Sequence, residues 1–161
     1  MSASTRRTRD GSAGPAGRTL AFDFGDRRIG IAVSDLTAAV SEYRAALCVE
    51  PVHREVVQDQ GVEEVFFGTG SSFIQLLGAL GPDTPVGRFL ARRGEGLHHV
   101  AYRVRDIEDA LDRMRAAGVP LIDEAPRWGS RGTRIAFVHP KVFRGVLVEL
   151  VQGPAVEPRE A

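Results

Sequence analysis

The sequence predicts an α+β fold in which two βαβββ modules share one cupped, mixed sheet, and three observations carry that reading. First, residues 28–47 (RIGIAVSDLTAAVSEYRAAL) align with residues 99–118 (HVAYRVRDIEDALDRMRAAG) at a constant offset. Val33 then falls on Val104, Asp35 on Asp106 and Ala39 on Ala110, while Arg44-Ala45-Ala46 falls on Arg115-Ala116-Ala117. Second, each copy passes from an apolar stretch through an Asp into a helix-periodic segment, then into three strand-like runs. Third, 161 residues at 43% hydrophobic and 26% charged content suit one soluble domain with a real core.

Residues 1–18 hold four arginines and one aspartate among Ser, Ala, Gly and Thr, with no apolar period. Such a composition buries too little surface to offset its ordering entropy, so a disordered tail is expected there. An Arg- and Ser-rich start also fits an organellar transit peptide. Arginine outnumbers lysine throughout, however, with Lys141 the only lysine, so the tail follows the general bias. The domain is expected over residues 19–152, as modules 28–80 and 98–152, with a second tail at 153–161.

Apolar positions Leu36, Ala39, Val40, Tyr43 and Leu47 define the first helix, and Ile107, Ala110, Leu111 and Met114 the second. Asp35 and Asp106 suit their N-caps, Asp109 stands where an acid can reach back to the cap, and Gly118 suits a left-handed stop. Strands are expected over 52–57, 62–67 and 72–77, then over 121–122, 134–138 and 146–151. The stretch 81–96, containing VGRFLARR, is expected to form a short bridging helix.

Composition narrows function. Twenty-one basic residues balance twenty-one acidic ones, leaving zero formal charge, so the broad footprint of a nucleic-acid or membrane-surface binder is missing. No apolar run is long enough to span a bilayer. The single Cys48 excludes an internal disulfide and agrees with a reducing, cytoplasmic setting; it is expected to be a small buried apolar residue. Four histidines without CxxC or HExxH exclude zinc fingers and zincin proteases.

If the modules pair about a pseudo-twofold axis, their first and last strands line one cleft with Arg28, Gln75, His99 and Glu149. Three of these are metal-ligating types. Glu149 lies in the apolar run VLVELV, where a carboxylate is costly unless paired or bound. Gln75 in FIQLL is a weaker signal, since a strand amide is often simply hydrogen-bonded. Of the adjacent Glu63 and Glu64, one faces in and the other faces solvent. Alternation sends His98 to the face opposite His99. His53 is expected on a strand surface, His139-Pro140 in a turn, and Arg92 and Arg93 on a solvated helix face. The segment GSRGTR, ending at Arg134, suits either a loop over an anionic ligand or a plain hairpin.

From residue 28 to 152 the chain resembles methylmalonyl-CoA epimerases of the vicinal-oxygen-chelate (glyoxalase-like) superfamily. The resemblance rests on RIGIAVSDL, GVEEV, FIQLL, GEGLHHVAYRV and FVHPK…GVLVEL. It implies metal-dependent proton exchange beside a thioester carbonyl, with Gln75, His99 and Glu149 as ligands and Glu64 with Glu149 as the acid–base pair. The implied metal is cobalt or manganese, with zinc, nickel or magnesium as alternatives. The implied partner is a CoA thioester, to which Arg28, Arg134 and Lys141 could offer positive charge, and the implied assembly is a homodimer.

Arg28 breaks the pattern, because the family begins this module with a histidine. A guanidinium has no lone pair for a metal. Three consequences stand side by side: weaker metal binding through three ligands, a shift of electrophilic work onto Arg28, or an acyl-CoA-binding protein without turnover. Residues 17–35 (GRTLAFDFGDRRIGIAVSD) also resemble the opening strand of RNase H-like Holliday-junction resolvases, with Asp23 at the metal-binding position. Nothing downstream supplies the acidic cluster that a two-metal nuclease needs, and a fusion or recombination within this segment would account for it.

Overall fold

Period-2 alternation gives each strand one face for helices and another for a cleft. The chain adopts this arrangement in a computed structural model that describes residues 22–153. Module one comprises β1 (Phe22–Val33), α1 (Leu36–Leu47), β2 (Pro51–Val57), β3 (Val62–Thr69) and β4 (Ser72–Ala79). After α2 (Pro85–Arg93), module two comprises β5 (Gly96–Val104), α3 (Ile107–Ala116), β6 (Arg127–Trp128), β7 (Arg134–Val138) and β8 (Leu147–Gln152). All eight strands form one curled sheet in the order β2-β3-β4-β1-β5-β8-β7-β6.

The two modules meet where β1 runs antiparallel to β5, and each of these strands has a parallel outer neighbour, β4 or β8. Gly30 faces Gln75 on β4 and His99 on β5, while its repeat equivalent Ala101 faces Glu149 on β8 and Arg28 on β1. This reciprocal register is the pseudo-twofold relation expected from the repeat.

Helices α1 and α3 cover the convex face. Leu36 and Ala39 pack on Val33, Val65, Phe67 and Leu76, and Ile107, Leu111 and Met114 pack on Val104, Val148 and Leu150. Each fully buried Leu or Ile contributes roughly 1.5–3 kcal/mol. The Asp35 carboxylate accepts from the Ala38 N–H at 2.9 Å, and Asp106 accepts from the Glu108 and Asp109 N–H groups. Asp109 does not reach back to the cap; it pairs with Arg113 one turn on. Gly118 ends α3 at φ 69°, a left-handed value that only glycine adopts without penalty. On the concave side, α2 closes one end of the trough by seating Val86 against Ala32, Val62 and Leu77.

Several expectations need correction. β1 begins at Phe22, and its first residues pair with the end of β5, Asp23 opposite Arg103. The described part of the resolvase-like segment, from Phe22, therefore belongs to the first strand of this sheet. Residues 121–122 form no strand. Leu121 makes one isolated bridge to Val138, while the Ile122 and Asp123 N–H groups converge on the Phe137 carbonyl. Two prolines, Pro120 and Pro126, bound this stretch and deny it a ladder; the pairing strand is the short β6. Cys48 is exposed, because it forms the left-handed C-cap of α1 at φ 54° and not part of a core strand. His53 faces the trough, its Nε2 2.9 Å from Glu55 and its ring against Phe66. The tail readings for residues 1–18 and 154–161 lie outside the described residues. Among the described residues, no helix is long and apolar enough to cross a membrane.

Candidate active site

The middle of the concave face carries the polar residues. Glu64 enters from β3, Gln75 from β4, His99 from β5 and Glu149 from β8, each 3–6% exposed. Their neighbours along each strand explain the placement. Val62 and Phe66 flank Glu64 on the same face and are buried, so the inward register leaves Glu63 to pair outside with Arg54 at 2.7 Å. Val65 and Phe67 are buried on the face of Glu63 as well, so what separates the two glutamates is the cleft, which Glu64 lines and Glu63 does not.

Each of the four polar residues ends in an atom without a hydrogen-bond partner among the described residues: Glu64 Oε2, Gln75 Oε1, His99 Nε2 and Glu149 Oε2. Buried polar atoms normally find partners, and leaving one unsatisfied costs about 1–3 kcal/mol. Four such atoms around one cleft indicate a site built for something that is not protein. His99 Nε2 and Glu149 Oε2 are 3.5 Å apart, close enough to share one small ligand.

The donor set also fits a divalent cation: one imidazole nitrogen and two oxygens, from Gln75, His99 and Glu149. No group of three His, Cys, Asp or Glu suited to a metal occurs among the described residues, so a cation here would need the Gln75 amide oxygen as a donor. Arg28, at the fourth lining position, is half-buried with its guanidinium 5.6 Å from the Phe66 ring centroid.

Burial pushes the Glu64 carboxyl above the usual carboxylate range, and the nearby Glu149 charge pushes it the same way; hydrogen bonds from Ser130 and Gln75 pull it partly back. Burial likewise lowers the pKa of Arg28, against the attraction of Glu149. His98 is lowered to about 4, by burial first and then by the His99 charge, so its ring is neutral at neutral pH.

Sequence reasoning missed parts of this site. His98 does not point away from the cleft. Gly30 pairs with His99 but Ile31 pairs with Leu97, so His98 is the extra residue of a bulge. That bulge turns its Nδ1 to within 3.0 Å of His99 Nδ1 and stacks its ring edge-on against Phe89. Ser130, buried beside Glu64, was visible only as part of a loop segment. Arg92 and Arg93 join Arg88 and Arg127 on the rim of the cleft, about 850 Å³ in volume, which also holds the four polar residues. Arg134 is elsewhere, paired with Glu108 of α3 at 2.9 Å. Lys141 is exposed in the 3-10 turn Pro140–Phe143.

A curled sheet of two βαβββ modules around a buried polar cleft defines the class. The chain belongs to the Glyoxalase/Bleomycin resistance protein/Dioxygenase superfamily, whose family model matches residues 27–137. Within that class it is similar to epimerases. An ethylmalonyl-CoA/methylmalonyl-CoA epimerase of Cereibacter sphaeroides is 39% identical over 126 residues, covering 77% of this chain and 94% of that protein. A solved Streptomyces coelicolor methylmalonyl-CoA epimerase variant, in complex with 2-nitronate-propionyl-CoA, superposes with a TM-score of 0.78 at 43% identity, covering 81% of this chain and 94% of that one. A methylmalonyl-CoA epimerase in complex with methylmalonyl-CoA and ammonium gives a TM-score of 0.77 at 43% identity, with the same coverage.

Proposed function

We propose that the chain epimerises methylmalonyl-CoA, or a close 2-carboxyacyl thioester, by exchanging the C2 proton between two carboxylates. The observation that carries this reading is the convergence, in a cleft large enough for an acyl thioester, of four buried polar atoms that have no hydrogen-bond partner among the described residues, two of them carboxylate oxygens. The relatives named as epimerases supply the substrate class.

In this reading Glu64 and Glu149 flank C2. One accepts the proton as the acyl unit becomes an enolate, and the other returns a proton to the opposite face. Ser130 and Gln75 hold the Glu64 carboxylate by hydrogen bonds, and its raised proton affinity makes it a better base than an exposed glutamate. Gln75, His99 and Glu149 would hold a divalent cation, cobalt or manganese. A bound cation supplies Lewis-acid polarisation of the thioester carbonyl. Phe137, edge-on to His99 at 5.8 Å, and Phe66 limit water around the reacting carbon. Arg88, Arg92, Arg93 and Arg127 on the cleft rim offer positive charge to the CoA phosphates. The outer strands β2 and β6, each paired on one side, with Trp128 68% exposed, support a homodimer. A lone exposed thiol fits a reducing compartment such as the cytoplasm.

One observation favours a second reading, an acyl-CoA-binding protein without turnover: Arg28 occupies the position of the family's first metal ligand. The two readings separate when a single C2 epimer is offered and the other is followed by a stereospecific coupled assay. Interconversion above the spontaneous rate is expected. Tight binding with no interconversion would leave only the second reading.

A further inference from the structure

Beyond Phe66, on the side of the site away from α2, the trough opens into a second cavity of about 380 Å³. Arg27, Arg28, Arg103 and Arg131 line it, together with Phe73 and Thr133, and no Asp or Glu is among its described lining residues. Arg28 stands between this cavity and the two site carboxylates. The charges acting on it are those of Glu149, Arg131, Glu64 and Arg103, yet it makes no ion pair within 4 Å among the described residues.

Arg131 approaches from the other wall. Its backbone is left-handed at φ 58°, uncommon for a bulky side chain. The Glu55 carboxylate holds it there by accepting from its N–H at 2.9 Å. Its guanidinium lies 4.9 Å from the Phe73 ring centroid and 5.7 Å from that of Phe66. Both guanidinium groups thus lie near the Phe66 ring and line the same cavity, and each feels the other's charge. A half-buried cation with no ion pair among the described residues is costly, and an anion bound by both groups would offset that cost and their mutual repulsion.

We infer that Arg28 and Arg131 form a subsite for the free carboxylate of a 2-carboxyacyl thioester, so that this chain recognises that carboxylate without needing a bound cation. The inference rests on the substrate class proposed above. It turns the loss of the first metal ligand into a specificity device: a planar fork aimed at a planar anion.

The test is calorimetric titration of the full-length, metal-stripped protein with malonyl-CoA and with propionyl-CoA, which lacks the carboxylate. The unaltered chain is expected to prefer malonyl-CoA by about 10- to 100-fold, the range of one or two charge-assisted hydrogen bonds. Arg28→Gln should erase that preference by weakening malonyl-CoA alone, and Arg131→Gln should erode it in part. Unchanged propionyl-CoA affinity shows that each variant is folded. Arg28→Lys, which keeps charge but not the fork, should retain less than half of the preference on a logarithmic scale. Equal affinity for the two esters in the unaltered chain, or a preference that survives Arg28→Gln and Arg131→Gln, would overturn this inference alone. Failure to bind either ester would overturn the substrate class as well.

Discussion

Gly30 is the floor under His99. A Cβ placed on Gly30 would meet the imidazole Cε1 at 2.2 Å, Nδ1 at 2.5 Å and Nε2 at 2.7 Å. Non-bonded carbon atoms rest at about 3.5–4.0 Å, so in Gly30→Ala the ring has to retreat by more than about 1 Å. It has little room, with Phe137 edge-on at 5.8 Å and His98 Nδ1 at 3.0 Å. Over-packing of this kind costs about 1–3 kcal/mol of stability. The functional loss should be larger than that implies, because a misplacement of about 1 Å can cost on the order of 100-fold in rate. We expect Gly30→Ala to lower proton exchange at C2 by about that factor and to weaken cobalt binding measurably by titration. Gly68→Ala is the control, since its added Cβ would meet Val52 at an ordinary 3.7 Å. Its activity and melting temperature should match the unaltered chain. If Gly30→Ala retained full exchange and full metal affinity, His99 would not act from the position described.

Glu64→Gln should reduce exchange by about 10²- to 10⁴-fold while leaving CoA-ester binding near normal, since only proton transfer is lost. The same variant should melt higher at neutral pH. The folded-state proton affinity of Glu64 is raised, so its favourable state is fully present below the ordinary carboxylate pKa and is lost as pH rises through the raised value. Ser130→Ala removes a hydrogen bond that favours the ionised Glu64, so the acid limb of the kcat/KM profile should move to higher pH; a limb moving lower would contradict the assignment. Replacing Arg92 and Arg93 together by Ala should raise KM for the CoA ester several-fold but leave a pantetheine thioester unaffected. Equal effects on both substrates would remove the rim from CoA binding.

The repeat made the architecture legible, because Asp35 and Asp106 cap their helices through local bonds and the apolar positions of both helices are periodic. It also brought out the lining positions Arg28, Gln75, His99 and Glu149, since residues equivalent by repeat fall on one face of a pseudo-symmetric sheet. What stayed hidden depended on departures from regular geometry. Alternation sends His98 outward, but the bulge opposite Gly30 and Ile31 turns it to the cleft. The run at 121–122 is apolar like a strand, yet its N–H groups share one carbonyl in place of a ladder. Arg92 and Arg93 are exposed, as a solvated helix face implies, but the sequence does not show that α2 forms the lip of a cleft and so puts them on its rim. The meeting of Arg28 with Arg131 depends on a left-handed residue in a loop, which no periodicity signals.

The central claim is that this cleft moves the proton at C2 between Glu64 and Glu149. The most direct measurement is solvent-deuterium incorporation at C2 of methylmalonyl-CoA, followed by mass spectrometry. It is run on metal-stripped protein and again with cobalt or manganese restored, against a control for spontaneous exchange. The account predicts incorporation well above the control with metal restored, and its collapse in Glu64→Gln. Incorporation no faster than the control in either state would contradict it.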